Sequence, residues 1–473
     1  MIYFFDIYFN GVNKMRLNQL INTSYDIEIK GITDDSRLVK KGFLFVATKG
    51  YNVDHYDYVN NAIENGCSFV IVDREIAISF PHLVVENINS LYRELCKKYY
   101  NVSSLDFSLI GITGTDGKTT TTTIVSQIID DMAYLGTNGL CVNKKEFKTN
   151  NTTPCVSELY NDLHIIKQNN CKNIVMEVSS EALLHDRVAD FLFDIVGFTN
   201  ITGDHLNIHK TFENYVDCKM KLLKLVKEDG FVVVNGDDQI LKTIHCNNLV
   251  TFGFDKNNDY VIDDVSYHKR YSEFSLKYNQ KTIKIKCPFV GEYNIYNVTM
   301  AYIIGLLYGV EESLLLSRIS KLKPVKGRGE LLDFGQDYTI VLDYAHTTNG
   351  ILKILETYKD YDKVITVTGC AGGREKEKRS IIGDIVITNS DIAIFTMDDP
   401  RYEDVDRIID DMVGNHKDYV RIPNRVEAIH YALSIATSDS VVLILGKGRD
   451  DYMAIEDKKV PYNDYNVIAD YFM

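Results

Sequence analysis

The sequence predicts an α/β protein of three domains built on mainly parallel β-sheets. Short apolar blocks rich in Val, Ile and Phe recur along the chain, and the lengths between them suit crossover helices. A chain of 473 residues, 45% of them hydrophobic and 25% charged, is long and apolar enough for several globular cores. Polar and glycine-rich motifs directly follow several blocks, where open α/β sheets bind ligands. The predicted strands are 43–47, 68–72, 107–112, 173–177, 195–199, 230–235, 338–342, 363–368, 391–396 and 440–445.

The charge balance argues against a nucleic-acid-binding protein. Lys plus Arg is 52 and Asp plus Glu is 66, which gives a formal net charge of −14, so the surface repels phosphate backbones. The 9 cysteines form no C-x-x-C pair, which fits reduced thiols in a cytoplasmic protein. No apolar run reaches the roughly 18 residues needed to cross a bilayer. We therefore expect a cytoplasmic protein with neither a nucleic-acid nor a membrane partner.

Composition shifts suggest where the domains begin and end. Residues 1–14 are predicted to be a poorly ordered extension, because a more regular segment begins at Met15. The polar stretch 102–106 and the K-P-V-K-G-R-G segment at 323–329 separate domains at 15–101, 102–323 and 324–473. Residues 257–287 alternate polar and apolar side chains, which predicts antiparallel strands inside the middle domain.

The sharpest local motif is G-I-T-G-T-D-G-K-T-T at 111–120, between a predicted strand and a predicted helix. Glycines let backbone N–H groups approach phosphate oxygens, the helix N-terminus attracts anions, Lys118 adds positive charge, and Thr119 can reach Mg²⁺. One extra residue separates Gly111 from Gly117 compared with the strict P-loop spacing. The motif nevertheless predicts nucleotide binding.

Two later strands end in residues that suit a metal ion beside a triphosphate. Glu177 follows strand 173–176, and His205 lies in T-N-I-T-G-D-H after strand 195–198. Parallel topology would bring both to the sheet edge that carries Thr119. Carboxylate, imidazole and hydroxyl groups together suit Mg²⁺ or Mn²⁺.

The order of motifs along the chain resembles that of the Mur ligases. From residue 15 to the C-terminus, the segments that carry the resemblance are D-S-R-L-V-K-K-G-F-L-F-V-A (35–47), G-T-D-G-K-T-T (114–120), T-T-P (152–154), M-E-V-S-S (176–180), F-T-N-I-T-x-D-H-L (198–206), Y-V-D-C-K-M-K-L (215–222), G-E-Y-N-I-Y-N (291–297), G-R-G-E (327–330), L-D-Y-A-H-T (342–347), G-C-A-G-G-R-E-K-x-K-R (369–379), D-D-P-R (398–401) and G-K-G-R-D-D-Y (446–452).

This resemblance implies an N-terminal uridine-nucleotide domain, a central P-loop ATPase domain and a C-terminal Rossmann-like domain. The motifs are most similar to those of members that add the third amino acid to UDP-MurNAc-L-Ala-D-Glu in peptidoglycan synthesis. In that chemistry a substrate carboxylate attacks the γ-phosphate of ATP, and an amine displaces phosphate from the acyl phosphate. The implied co-substrate is ATP and the implied cofactor is Mg²⁺. Catalytic roles fall on Lys118, Glu177, His205 and Lys219, with Thr119, Glu177, His205 and Lys219 at the metal.

Lys219 owes its role to the resemblance alone. On the helical run 215–226, a lysine is ordinarily a solvated side chain. The resemblance implies that Lys219 is carbamylated, which turns an ammonium into an anion able to hold a second Mg²⁺. Lys221 is the nearby competitor, and the positions of Tyr215 and Leu222 favour Lys219.

The resemblance also assigns the substrate contacts. For Asn294 and Asn297, the residues alone favour ordinary turn and helix-cap chemistry. The implied UDP-sugar and peptide contacts are Ser36, Arg37, Thr152, Thr153, Ser179 and Arg187. The implied ATP contacts are Gly114, Thr115, Asp116, Gly117, Lys118, Thr119, Thr120, Asn294, Asn297, Arg328 and Asp343.

The amino-acid contacts favour meso-diaminopimelate over lysine. Arg401 in D-D-P-R can clamp a second carboxylate, which lysine lacks, and Arg374 matches a carboxylate-binding position. The family's D-N-P-R and G-K-G-H-E motifs are altered here, with Asp399 for asparagine, Arg449 for histidine and Asp450 for the longer acid. The implied amino-acid contacts are Arg374, Asp398, Asp399, Arg401, Gly446 and Asp450.

Several alternatives stay open at this point. These departures fit a divergent paralogue that uses a different amine or acceptor. A folylpolyglutamate or cyanophycin-type synthetase is disfavoured by segments 35–47 and 152–154, and a mechanical NTPase would leave the third domain unexplained. A non-catalytic nucleotide-binding homologue is disfavoured by the presence of Lys118, Glu177, His205 and Lys219. We expect a monomer that binds a UDP-MurNAc-dipeptide, ATP and an amino acid.

Overall fold

The structure is a computed structural model that describes residues 15–49, 54–204 and 206–473. The predicted extension at 1–14 and the predicted metal ligand His205 lie outside these residues. The strands are β1 (Met15–Arg16), β2 (Glu28–Ile29), β3 (Gly31–Thr33), β4 (Phe43–Val46), β5 (Phe69–Val72), β6 (His82–Val84), β7 (Ser108–Thr113), β8 (Met132–Gly136), β9 (Gly139–Val142), β10 (Lys145–Phe147), β11 (Asn173–Glu177), β12 (Phe193–Phe198), β13 (Val226–Asn235), β14 (Leu249–Gly253), β15 (Tyr260–Tyr267), β16 (Ser272–Tyr278), β17 (Lys281–Cys287), β18 (Glu330–Leu332), β19 (Thr339–Asp343), β20 (Lys363–Thr368), β21 (Ile392–Phe395), β22 (Val420–Arg421), β23 (Ser440–Leu445), β24 (Tyr452–Ile455) and β25 (Lys458–Pro461).

Helices separate most of the parallel strands, as the spacing of the apolar blocks predicts. They are α1 (Leu17–Leu20), α2 (Val59–Glu64), α3 (Ile88–Tyr100), α4 (Lys118–Ile128), α5 (Val156–Gln168), α6 (Ser180–Leu184), α7 (Leu206–His209), α8 (Phe212–Met220), α9 (Glu292–Leu307), α10 (Glu312–Ile319), α11 (Thr348–Tyr358), α12 (Glu377–Asn389), α13 (Val405–Val413), α14 (Arg425–Ser434) and α15 (Asp464–Phe472). In the described part of the chain, no helix is both long and apolar enough to span a membrane.

The chain packs into two compact units. Of the described residues, the first comprises 15–49, 54–113, Asp130–Val196 and Cys218–Phe231, and the second comprises Gly114–Ile129, 197–204, 206–217 and Val232–Met473. Strands β12 and β13 begin in the first unit and end in the second.

The first unit contains a small antiparallel pair, β1-β2, and strands of two larger sheets. Near the N-terminus the order is β3-β4-β5-β6, all parallel, with Phe43, Phe45 and Val70 in its core. The other sheet runs β10-β9-β8-β11-β7, in which β8, β11 and β7 are parallel. Sequence analysis did not predict β8 to β10, which form an antiparallel meander.

The second unit contains the antiparallel strands predicted for 257–287. Here β13, β14 and β15 pair in parallel, and β15, β16 and β17 pair antiparallel. Helix α9 is largely buried, because its sequence is apolar on nearly every side.

The C-terminal part of the second unit is a six-stranded sheet of order β18-β19-β23-β20-β21-β22. Only β18 is antiparallel to its neighbour. Separate apolar clusters, one containing Val341 and Leu443 and the other Ile340 and Ile444, lie on opposite faces because strand side chains alternate. The predicted α/β class with mainly parallel sheets is confirmed, and all ten predicted strands are present. The carboxyl ends of β19, β20, β21 and β23 share one edge of this sheet.

Candidate functional site

The predicted phosphate loop lies in the second unit, before helix α4. Gly114 has φ +147° and Gly117 has φ +85°, backbone conformations that side-chain-bearing residues rarely adopt. A Cβ on Gly114 would overlap Thr199, and one on Gly117 would overlap the Asn297 amide. Both glycines are therefore required by conformation and by space.

Lys118 closes the loop on itself. Its ammonium donates to the carbonyl oxygens of Gly114 at 2.9 Å and Thr115 at 2.7 Å. Because Lys118 begins α4, the ammonium and the helix N-terminus place positive charge at the same point.

A second segment, Thr199–Thr202, is hydrogen-bonded to the loop. The Thr115 N–H donates to the Asn200 carbonyl at 2.8 Å, and the Asp116 N–H donates to Asn200 Oδ1 at 2.9 Å. The Thr199 hydroxyl donates to the Asp116 carbonyl at 2.6 Å. Asp116 Oδ2 is buried without a hydrogen-bond partner among the described residues, so it is available to a cation or a donor group.

A cavity of about 420 Å³ extends from this loop within the second unit. Of the predicted ATP contacts, those that line it are Asp116, Gly117, Thr120, Asn297, Arg328 and Asp343. The Arg328 Nη2 also donates to Thr119 Oγ1 at 3.3 Å, and Asn294 Oδ1 accepts from Asn297 Nδ2 at 3.4 Å. Residues distant in sequence thus meet at one cavity.

Aromatic side chains also line this cavity, and they were not among the predicted contacts. Phe252 and Tyr296 line it with their rings edge to face, 6.3 Å apart, and Met300 lies beside them. The Tyr296 hydroxyl donates to Asp237 Oδ2 at 2.7 Å. Asp237 follows β13, so its position after a strand was a usable signal, whereas Phe252 and Tyr296 look like ordinary core residues in the sequence.

Asp343 lies at the carboxyl end of β19 and holds the turn that carries Arg328. Its Oδ2 accepts from the Gly329 N–H at 2.5 Å, and its Oδ1 accepts from the Ala345 N–H at 2.6 Å. Burial raises the pKa of Asp343, while the Arg328 guanidinium and these two N–H groups lower it.

Four charged residues form a second group at the same edge of the C-terminal sheet. Lys447, which is 1% exposed, donates to Asp399 Oδ1 at 2.8 Å and Asp450 Oδ2 at 3.3 Å, and its Nζ lies 3.9 Å from Asp398. Burial alone would lower the pKa of Lys447, but the three carboxylates raise it. Burial raises the pKa of Asp450, against the attraction of Lys447. The three acids were predicted as amino-acid contacts, but Lys447, which pairs with them, was not.

The two predicted arginines belong to loops that touch. The Gly372 N–H donates to the Asp399 carbonyl at 2.8 Å, which ties the loop of Arg374 to the D-D-P-R segment. Arg374 is exposed. Arg401 is half-buried, with its backbone in the left-handed region at φ +52°. Gly446 must be glycine, because a Cβ there would lie 2.5 Å from Asp398 Oδ2.

In the first unit, Glu177 lies fully buried at the end of β11. Its Oε1 accepts from the Tyr134 hydroxyl at 2.9 Å and from the Thr137 N–H at 2.8 Å. Thr153 donates to the Glu177 carbonyl at 2.8 Å, and Arg187 donates to the Thr153 carbonyl at 2.9 Å. The Thr152–Thr153 segment and Arg187 are thus brought together at the end of one strand.

Two other predicted peptide and nucleotide contacts have structural partners of their own. The Ser179 hydroxyl caps α6 by accepting from the Ala182 N–H at 3.2 Å. Arg37 pairs with Asp35 at 2.6 Å and is 86% exposed, whereas Ser36 is buried.

Lys219 is 1% exposed at the last turn of α8. Its neighbour Cys218 donates to the Ser180 carbonyl at 3.1 Å. Lys221, by contrast, is 45% exposed and donates to the Leu183 carbonyl at 3.2 Å. The solvated-lysine interpretation therefore applies to Lys221 and not to Lys219.

The described residues do not by themselves complete a protein-only metal centre. Across 15–49, 54–204 and 206–473, no group of three or more His, Cys, Asp or Glu side chains is arranged to hold a metal ion. The oxygen donors of Thr119, Asp116 and Glu177 are of the type that Mg²⁺ prefers.

Comparison with known proteins identifies the family of the chain. Three family models match successive parts of the chain: "Mur ligase family, catalytic domain" over 28–102, "Mur ligase middle domain" over 112–305, and "Mur ligase, glutamate ligase domain" over 327–448.

Similar proteins cover almost the whole chain. A Bacillus cereus protein named UDP-N-acetylmuramoyl-L-alanyl-D-glutamate–2,6-diaminopimelate ligase is 33% identical over 96% of this chain and 97% of its own. A Clostridium botulinum protein of the same name is 35% identical over 94% and 95%. A solved structure of a ligase of that name has 25% identity and a TM-score of 0.65, covering 97% of this chain and 99% of its own. The chain belongs to the Mur ligase family.

Proposed function

We propose that the chain is an ATP-dependent, ADP-forming ligase that joins 2,6-diaminopimelate to UDP-MurNAc-L-Ala-D-Glu in peptidoglycan precursor synthesis. The observation that carries the proposal is the cavity of the second unit, where a glycine phosphate loop, Arg328 and Asp343 meet. Relatives named for this activity, aligned along more than nine-tenths of the chain, support the choice of substrates.

ATP binds along this cavity in the proposal. Backbone N–H groups of 114–120 and the N-terminus of α4 face the phosphates, and Lys118 and Arg328 add positive charge. Phe252 and Tyr296 offer flat apolar surface to the adenine ring.

The reaction proceeds in two steps. A carboxylate oxygen of the dipeptide substrate attacks the γ-phosphorus, the bond to the β-γ bridging oxygen breaks, and ADP leaves. The amine of the incoming amino acid then attacks the acyl carbon, inorganic phosphate leaves, and the nitrogen loses a proton. Because both reactants of the first step are anions, positive charge beside the γ-phosphate supplies most of the electrostatic help.

We propose that Thr119, Glu177, His205 and a carbamylated Lys219 would hold Mg²⁺, which would supply positive charge beside the triphosphate. The burial of Lys219 and the oxygen donors of Thr119 and Glu177 fit that role. Lys118 contributes the remaining fixed charge of the loop.

The amino acid binds at the edge of the C-terminal sheet. Arg401 and Arg374 face its carboxylates in this proposal, and Asp450 takes its distal amine, with Asp398, Asp399 and Gly446 shaping the pocket. Lys447 neutralises one of the three acids and leaves the group with net negative charge, which suits an ammonium group. The UDP-sugar and peptide contacts are proposed at Ser36, Arg37, Thr152, Thr153, Ser179 and Arg187, in a cytoplasmic monomer.

The direct test is phosphate release from Mg·ATP with UDP-MurNAc-L-Ala-D-Glu and one amine at a time. The amines are 2,6-diaminopimelate, L-lysine and L-ornithine, with a reaction lacking amine as the blank. We expect stimulation by 2,6-diaminopimelate well above the other two. Equal or greater stimulation by lysine or ornithine would contradict the assignment of the amine and favour a divergent paralogue.

A further outcome of this assay separates catalysis from nucleotide binding. If nucleotide binds but no amine stimulates phosphate release, the chain is either a ligase for another acceptor or a non-catalytic homologue. Slow amine-independent phosphate release that requires the dipeptide would instead indicate a ligase that joins a different amine to this dipeptide, since acyl phosphate formation needs only ATP and the dipeptide.

A further inference from the structure

The further inference concerns two loops that meet in the C-terminal part of the second unit. We name Gly327–Glu330 the ATP-side turn, because it carries Arg328, and Gly446–Asp450 the amine-side loop. They touch through their backbones: a Cβ on Gly327 would lie 2.8 Å from the Arg449 nitrogen, and one on Gly448 would lie 3.0 Å from the Gly327 carbonyl. The two glycines thus permit an approach that other residues would block.

A bidentate ion pair fastens this contact. Arg449 donates from Nε to Glu330 Oε2 at 2.8 Å and from Nη2 to Oε1 at 2.5 Å, and its guanidinium lies 3.5 Å from the ring centre of Tyr465. Glu330 is 7% exposed, and its Oε2 also accepts from the Gly327 N–H at 2.7 Å. Charge-assisted bidentate pairs fix geometry more strictly than single contacts do.

The ATP-side turn connects the Arg449–Glu330 ion pair to Arg328. Its two glycines are held by the Tyr344 N–H, which donates to the Gly327 carbonyl at 2.9 Å, and by Asp343. Between them, Arg328 lies 4.4 Å over the Tyr344 ring and reaches Thr119 Oγ1. The chain of contacts from Arg449 to the phosphate loop is therefore continuous within one unit.

We propose that Arg449 is a positioning residue that holds Arg328 at the phosphate loop through Glu330 and the ATP-side turn. Without Arg449, the Glu330 carboxylate would stay buried beside the Gly327 N–H without its charge partner. The carboxylate could then move and shift the turn. A displacement of Arg328 that breaks its contact at the phosphate loop would weaken nucleotide binding by about 10- to 100-fold, the usual effect of losing a charge-assisted hydrogen bond. The proposal rests on the nucleotide-binding part of the proposed function and not on the identity of the amine.

The test is the affinity of the full-length protein for ADP and for a non-hydrolysable ATP analogue, measured by calorimetry. We expect R449M to weaken analogue binding about tenfold and E330Q to do the same. We expect R449K, which keeps charge but not the fork, to lie between R449M and the unchanged protein. The double variant R449M/E330Q should be no weaker than either single variant, because both act through one contact.

R421M is the matched control. Arg421 also pairs with two acids, Asp406 at 3.0 Å and Asp410, but it lies on β22 away from the cavity. A loss of thermal stability in R449M with unchanged nucleotide affinity would overturn the proposal, as would a matching loss of affinity in R421M.

The steady-state constants give the second readout. With phosphate release as the assay, R449M should raise the KM for ATP and leave the KM for UDP-MurNAc-L-Ala-D-Glu within about twofold. A rise in both KM values would contradict a positioning role towards ATP. If no substrate set supports turnover, the proposed function fails, while the calorimetric comparison still decides the role of Arg449.

Discussion

At the residue scale, the buried lysine of α8 is the most informative single side chain. Lys219 is 1% exposed, whereas Lys221 is 45% exposed two residues later. A lysine ammonium is seldom buried this completely without a specific task. Carbamylation would give it that task by supplying oxygen ligands.

We therefore predict that K219A lowers phosphate release by about 100-fold or more, because a metal-binding carbamate contributes electrostatic stabilisation of that order. Formate or acetate in the buffer should restore part of the rate. K221A is the control and should keep its rate within about twofold. Normal turnover by K219A would show that no carbamate is needed.

Arg401 is the residue that should distinguish 2,6-diaminopimelate from lysine. Charge-assisted hydrogen bonds are worth about 1.5 to 3 kcal/mol, so R401A should raise the KM for 2,6-diaminopimelate by roughly 10- to 100-fold. The KM for ATP should not change. A KM for 2,6-diaminopimelate that stays at its original value would remove Arg401 from the amine site.

At the element scale, a buried ion pair holds α14 to α15. Arg425 and Asp464 are 1% and 0% exposed, with Nε to Oδ1 at 2.8 Å and Nη2 to Oδ2 at 2.7 Å, and Arg425 also donates to the Leu445 carbonyl that precedes the amine-side loop. R425M should lower the free energy of unfolding by about 3–5 kcal/mol, since it leaves Asp464 buried and unpaired. Urea denaturation should show the loss, and R425M/D464L should recover much of it. Equal destabilisation by the double variant would contradict this account.

Glu403, in the segment before α13, should make stability depend on pH in acid. Hydrogen bonds from Arg379 and the Gly373 N–H lower the pKa of Glu403 to about 2 from its usual 4.5. Because the folded-state pKa lies below the unfolded one, this stabilisation is complete above pH 4.5 and is lost as pH falls towards 2. E403Q should reduce the fall in the urea midpoint between pH 5 and pH 3. An unchanged slope would show that Glu403 does not contribute.

Element by element, the sequence predicts long apolar strands well and short ones poorly. Each of the ten predicted strands has its counterpart, since a run of Val, Ile and Phe bounded by polar residues leaves few other choices. The β8 to β10 meander was missed because its segments M-A-Y-L-G, G-L-C-V and K-E-F are not runs of Val, Ile and Phe, although Asn138–Gly139 is a strong turn signal. The run 215–226 was predicted to be helical throughout, but α8 ends at Met220 and β13 begins at Val226.

At the scale of the whole molecule, motifs made of neighbouring residues could be predicted from the sequence. Contacts between residues far apart in the chain could not. The phosphate loop could be predicted from its own glycines and lysine. The aromatic lining of the cavity includes Phe252 from β14 and Tyr296 from α9, and neither residue carries a local sign of this position. Arg449 and Glu330 are 119 residues apart, so only the folded chain reveals their pairing.

The most direct test of the whole account follows the oxygen atoms. UDP-MurNAc-L-Ala-D-Glu with an ¹⁸O-labelled acceptor carboxylate is incubated with Mg·ATP, 2,6-diaminopimelate and the protein, and both products are analysed by mass spectrometry. The account predicts a UDP-MurNAc-tripeptide and one ¹⁸O in the inorganic phosphate, because the carboxylate oxygen that attacks the γ-phosphorus leaves with it. Consumption of ATP without the tripeptide, or tripeptide with unlabelled phosphate, would contradict a ligase that works through an acyl phosphate.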